Sequence, residues 1–314
     1  MLVNLLKKRN FFKQIFIIVL FTLLGTVEYN SFYLNDLEKV GAILTLLLIA
    51  FVGYTDYLNV LISKSAFSIF TYMLFLMPFI GELIDYKMIG SLLLVTYVST
   101  KLLYFESEKN DPYSAFDIGV FLSFAILLNP LLIFLGIIIF IYFLTLKAVE
   151  PKVPILGVLG FIVPILIVGQ ISFLLDYYFI LDFYKEQFTL NIIQPQLKYI
   201  FLTPTAVILV LSVLNHLKNV NKLTAQKKRI YSLIHLMFIT ILITFVLFGG
   251  DKDVFLVFLS YCVMTMLSRY FIESKPKIEW LNEALLWIYM ISLLIYNFYD
   301  RIPRFYSLIT EVSL

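Results

Sequence analysis

Residues 153–175 read VPILGVLGFIVPILIVGQISFLL, with no Asp, Glu, Lys or Arg anywhere in the stretch. A bilayer core of about 30 Å takes about 20 apolar residues as an α-helix, the conformation that satisfies each backbone N–H and C=O within its own segment. The stretch therefore reads as a membrane span. Outward from it, in both directions, the same pattern recurs at roughly 11–27, 39–56, 66–80, 88–105, 115–129, 131–147, 199–216, 230–248, 254–272 and 280–298. The whole composition agrees: 61% of the residues are hydrophobic and 14% charged, against about 25% charged in an ordinary soluble domain. The expected fold is all-α, a polytopic integral membrane protein of about eleven transmembrane helices forming a single membrane-embedded domain over residues 1–314. Two stretches are short. Pro78 and Gly81 end 66–80, and the turn Asn129-Pro130 closes 115–129, so tilted or partly re-entrant geometry suits both.

Loops rich in lysine and arginine stay on the cytoplasmic side. With the N-terminus inside, the inner loops collect 17 of the 24 basic residues and the C-terminus falls on the periplasmic side. Lys7, Lys8 and Arg9 precede the first apolar stretch, but no small-residue cleavage site follows it; the expectation is an uncleaved first span that also targets the chain to the inner (cytoplasmic) membrane. The basic run from Lys218 to Arg229 reads as a positive-inside anchor. Abundant Tyr and Phe at span ends, such as Tyr177, Tyr184 and Tyr299, fit an interfacial aromatic belt.

Several chemistries are excluded. The lone cysteine, Cys262, lies in an apolar stretch and can form neither an intrachain disulfide nor a cysteine metal cluster. Two histidines, His216 and His235, are too few for a four-histidine iron site. They read as interfacial surface groups, Arg269 as a side chain that snorkels to the inner surface, and Gln170 as a hydrogen-bonding link between helices. No metal site is expected, and no cofactor is specified. A net charge of +3 without a basic, aromatic-interleaved stripe excludes a nucleic-acid partner. There is no Gly-rich phosphate loop, nucleophile elbow or H-E-x-x-H motif, so an enzyme of this kind would draw its donor from the membrane, which points to polyprenyl-linked substrates.

The acidic residues of the outer loops form the most suggestive set: Glu28, Asp36 and Glu38 in the first, Glu82 and Asp85 in the second, Asp176, Asp182 and Glu186 in the fourth, Asp251 and Asp253 in the fifth. A carboxylate at the membrane boundary can serve as general base on a sugar hydroxyl or hold a cation beside a phosphate. Glu28 is the sharpest of them, because it emerges directly from the first span. Asp117 lies at the cytoplasmic start of its stretch, where the helix dipole favours an acid and a structural role accounts for it.

Two stretches carry a resemblance. Met88 to Lys147, with the loop Glu106-Ser107-Glu108-Lys109-Asn110, the run Ala115-Phe116-Asp117-Ile118-Gly119-Val120-Phe121-Leu122-Ser123-Phe124-Ala125 and the turn Asn129-Pro130, resembles the central hairpins of an uncharacterised family of polytopic inner-membrane proteins from flavobacterial-type Gram-negative bacteria. Some members carry the label carotene oxygenase, which the histidine count opposes. More distantly, the run is similar to GT-C membrane glycosyltransferases, and Asp251-Lys252-Asp253 through Arg269-Tyr270 resembles the charged outer loop and following span near the end of such enzymes. That resemblance implies a catalytic acid in the first outer loop, at Glu28 or Asp36, with Asp251 and Asp253 positioning phosphate, and action on polyprenyl-linked glycans at the periplasmic face. The first outer loop is shorter here than in those enzymes, and their terminal soluble domain is absent. The alternatives are a non-catalytic subunit or scaffold of an envelope assembly, secretion or gliding complex, partnered by other envelope proteins, and a small-molecule or lipid transporter.

Overall fold

The computed structural model describes residues 3, 6, 14–20, 36–54, 66–79, 83, 85–105, 112–145, 152–176, 184–194, 196–249, 253–273 and 279–299. Among these, regular structure is helical throughout, with no strand. The α-helices are α1 (Asp36–Tyr54), α2 (Phe67–Leu76), α3 (Tyr86–Phe105), α4 (Pro112–Leu128), α5 (Ile133–Thr145), α6 (Lys152–Leu174), α7 (Thr203–Asn219), α8 (Ala225–Phe248), α9 (Ser260–Glu273) and α10 (Glu279–Tyr299). Residues 14–20 are helical as well. Short 3-10 turns lead into α5, α7 and α9 at Pro130–Leu132, Leu197–Leu202 and Asp253–Leu259.

Among the described residues, five helical segments are long and apolar enough to cross a membrane: Lys152–Leu174, Leu197–Lys222, Ala225–Phe248, Phe255–Ile272 and Trp280–Tyr299. The helices over Phe67–Phe79, Tyr113–Leu128 and Pro130–Leu144 are apolar but shorter. The chain is a helical membrane protein. Of the stretch 66–80, expected to be tilted or re-entrant, residues 66–79 are described, and all ten residues of α2 are buried inside the bundle.

Local chemistry sets several boundaries. Asp85 heads α3, its carboxylate accepting from Lys87 N at 3.1 Å, and Thr224 heads α8, its hydroxyl accepting from Lys227 N at 3.4 Å; both meet N–H groups that the first turn leaves without helical partners. Pro130 opens the 3-10 turn before α5, since a proline at a first helical position sacrifices no bond. At the far end of α6, Asp176 adopts φ 54° and its N–H donates to the Phe173 carbonyl at 3.3 Å. This is a left-handed helix stop, where glycine is usual and aspartate is tolerated.

The packing is polar at chosen points inside and apolar outside. Along α2 and α9, Phe67 stacks on Phe271 with centroids 5.7 Å apart, and Thr71 Oγ1 and Ser268 Oγ share a 3.0 Å hydrogen bond. Tyr289 of α10 donates to the Thr71 carbonyl at 3.3 Å, and Ser212 of α7 to the Met266 carbonyl at 2.8 Å. Such bonds link helices where lipid tails offer no hydrophobic difference to drive association. A second group, α1, α3, α4 and α6, packs in series, with α5 joining α6 to α8. The α4/α6 crossing is the tightest: a Cβ on Gly119 would lie 2.8 Å from Phe161 N, and one on Gly160 would lie 3.1 Å from the Phe116 carbonyl carbon. Glycine alone permits this backbone approach. The outer face of α6 presents Ile155, Val158, Ile162 and Leu166 to the surroundings, which suits contact with lipid.

Candidate functional site: a polar cavity at one end of the bundle

At one end of the bundle four connections meet around a cavity of about 480 Å³. Asp85 and Lys87 come from the start of α3, Asn129 and Pro130 from the α4–α5 turn, Glu186, Gln187, Thr189 and Asn191 from the segment between α6 and α7, and Gly249 and Phe255 from the α8–α9 connection. Met88, Leu128, Leu131 and Phe248 complete its apolar side.

Each wall is fixed by identifiable contacts. Asn129 has an extended backbone that breaks the helix between α4 and the Pro130 turn, and its amide donates to Met88 Sδ at 3.8 Å. Tyr184 donates to the Leu127 carbonyl at 3.3 Å, and burial pushes its hydroxyl above the usual phenol range. Beyond the helical turn at 184–187 the chain runs along the end of α8. Asn191 N–H donates to the Leu247 carbonyl at 3.0 Å and Ile193 N–H to that of Val246 at 3.1 Å, supplying donors to carbonyls that the last helical turn leaves open. Phe134, Phe188 and Phe248 close on one another with centroids 5.5 to 6.5 Å apart, pinning that segment to α5 and α8.

Of the acids expected to carry chemistry, Asp85 and Glu186 line this cavity together. Glu28 and Asp251 lie outside the described residues. Asp36 is the first residue of α1, and Asp253 the first of the turn leading to Phe255 on the cavity wall. Gly249 and Phe255 thus bracket Asp251 and Asp253 in sequence. Asp117 pairs with Lys101, Oδ2 to Nζ 3.7 Å, in keeping with the structural role expected of it.

Three expectations are corrected. Gln170 is exposed on α6 and links no helices among the described residues. His216 and Arg269 are interior rather than interfacial, 8% and 5% exposed. Arg269 Nη1 donates to His216 Nδ1 at 2.7 Å, its guanidinium lies 3.7 Å above the Tyr231 ring, and the His216 and His235 rings stack with centroids 4.9 Å apart. The cluster joins α7, α8 and α9, and its members are too far apart in sequence for spacing to reveal it. No group of three His, Cys, Asp or Glu side chains suited to a metal occurs among the described residues.

Fold and cavity together define a helical membrane protein with a polar chamber at one end. The chain belongs to the family of unknown function DUF6427, which matches residues 1–306. No curated protein and no solved structure matches it.

Proposed function

We propose that the cavity receives the sugar head of a polyprenyl-linked glycan at the periplasmic face of the inner membrane, in a GT-C-like protein of about eleven spans with its N-terminus inside. The observation that carries this reading is the cavity lining. Carboxylates, amides and a hydroxyl from Asp85, Glu186, Asn129, Gln187, Asn191 and Thr189 face an apolar side that includes Phe248 and Phe255. Side chains of these kinds exchange hydrogen bonds with sugar hydroxyls, while aromatic and aliphatic groups suit the less polar face of a sugar ring. The topology is supported by convergence: the loops expected after the third, fifth, seventh and ninth spans contribute Asp85, Asn129, Glu186 and Gly249 to this one chamber, as loops on a common side would. Within the reading, Asp85 and Glu186 join Glu28 and Asp36 as acids available for proton transfer, and Asp251 and Asp253 attend the phosphate side.

Purification from native membrane in mild detergent, with mass spectrometry of bound lipid and protein, tests it. Wild-type chain is expected to retain a polyprenyl-linked sugar, and Glu186→Gln and Asn191→Ala to lose it at unchanged expression. A stoichiometric protein partner with no glycolipid would overturn the reading in favour of a subunit or scaffold.

A further inference from the structure

A second concavity, separate from the polar chamber, runs along the outside of the bundle between α7, α8 and α9, with a volume of about 370 Å³. The 3-10 turn Asp253–Leu259 divides the two: Phe255 lines the chamber, Leu256 and Leu259 the groove. Leu209 and Val213 of α7, Phe238 and Leu242 of α8, and Val263 and Met266 of α9 form its walls. Val210 and Leu214, 59% and 48% exposed, stand at its lip, so the groove opens onto the surroundings of the bundle, which for a membrane protein are lipid.

The dimensions select the occupant. From residue 202 to 214 the groove follows α7 for about 18 Å, at about 1.5 Å rise per residue, more than half of a bilayer core of about 30 Å. A volume of about 370 Å³ over that length leaves a mean cross-section of about 20 Å², whereas a helix with its side chains is about 10 Å across and needs several times as much. A partner helix is too thick for the groove; a single extended hydrocarbon chain fits it.

Among the described residues that line the groove, Thr205, in the first turn of α7, bears the one hydroxyl. It is 4% exposed, and its Oγ1 is buried with no hydrogen-bond partner among the described residues. Elsewhere in the bundle the hydroxyls of Thr71, Thr96, Thr100, Thr244 and Thr265 each donate to the carbonyl four residues earlier at 2.8 Å. For Thr205 that residue is Phe201, in the 3-10 turn Leu197–Leu202, whose tighter winding sets its carbonyls differently from those of an α-helical turn. A buried hydroxyl without a partner is costly, and a chain that brings an acceptor to it relieves the cost. That acceptor has to sit near one end of the chain, because Thr205 lies toward the chamber end of the groove and the lining from Leu209 to Leu214 is apolar. A fatty acyl chain held in ester linkage meets both demands: its carbonyl oxygen accepts from the Thr205 hydroxyl, and its methylenes follow α7.

We propose that this groove binds one acyl chain of a glycerophospholipid, its ester carbonyl hydrogen-bonded to Thr205 and its methylenes packed along α7 toward Leu214. No charged side chain lines the groove among the described residues, so what it recognises is the ester-linked chain and not the head group. The site stands apart from the chamber and does not rest on the function proposed for it.

Native mass spectrometry of the full-length protein in detergent provides the test, with dipalmitoyl phosphatidylcholine and its diether analogue as probes. The analogue has the same head group and chain length but no carbonyl oxygen. Wild type is expected to retain the diester at least about threefold more tightly than the diether, the scale of one hydrogen bond inside a membrane bundle. Thr205→Val, which keeps the side-chain shape and removes the donor, should bind the two equally. Val210→Trp, which sets an added ring at the exposed lip, should weaken both. Equal retention of diester and diether by wild type would overturn the proposal, and that comparison needs no variant to fold. Undiminished discrimination by Thr205→Val, or undiminished binding by Val210→Trp, would equally overturn it. So would displacement of the diester by a polyprenyl alcohol more readily than by a second ester lipid, which would make the groove an isoprenoid site.

Discussion

Asp176 shows how much a single residue can be asked to do at a helix end. Its φ of 54° is costly for a side chain bearing Cβ and free for glycine, so Asp176→Gly is expected to raise stability by up to about 1 kcal/mol, read as a higher midpoint in detergent unfolding. A fall would mean that the carboxylate has a partner that the backbone geometry does not require. Inside the bundle, the Thr71–Ser268 bond of 3.0 Å should show a coupling of about 0.6 kcal/mol in a Thr71→Val, Ser268→Ala double-mutant cycle, typical of interhelical bonds in membrane bundles. At this scale the sequence is legible by class and not by partner. Asp85 and Glu186 are recognisable as acids between apolar stretches, yet about 100 residues separate them, and only packing brings them to one cavity. His216 and Arg269 are misread for the same reason: each sits near the end of its own apolar stretch, and burial depends on neighbouring helices that hydropathy does not describe.

Elements follow the apolar pattern closely where the breaks are chemical. The stretch 88–105 becomes Tyr86–Phe105 because Asp85 caps it, and 131–147 becomes Ile133–Thr145 because Pro130 forces a 3-10 turn before it. The basic run 218–229 is less loop than its charge implies. Thr224 caps α8, and Gln226, Lys227, Lys228 and Arg229 are good helix formers that continue the helix into the polar zone. The α4/α6 crossing gives the sharpest prediction for an element. Gly119→Ala and Gly160→Ala each set a Cβ against the partner backbone and should cost about 1 to 3 kcal/mol. Gly169→Ala, on the same helix α6, meets nothing within 4 Å and should be neutral or slightly stabilising. Thermal unfolding of the three variants in one detergent separates them; equal losses would mean that helix propensity, not close approach, governs this crossing.

The whole molecule reads as a membrane protein with chemically different ends: carboxylates and amides around a cavity at one, lysines, arginines and a buried cationic cluster at the other. Apolar length made the helical membrane class readable from sequence, because that signal is local. Chamber and groove were not, since each is built by three or more segments that meet only in the folded bundle. The proposed function requires the chamber to face the periplasm and the basic end the cytoplasm. The chain's single cysteine, Cys262, is buried, so Cys262→Ala provides a clean background for Thr189→Cys beside the chamber and Lys222→Cys at the basic end, both exposed positions. The decisive measurement is labelling of these two variants in spheroplasts with a membrane-impermeant maleimide. The account predicts that the probe at position 189 reacts in intact spheroplasts and the probe at 222 only after permeabilisation; reaction of both from the same side, or in the reverse order, would contradict it.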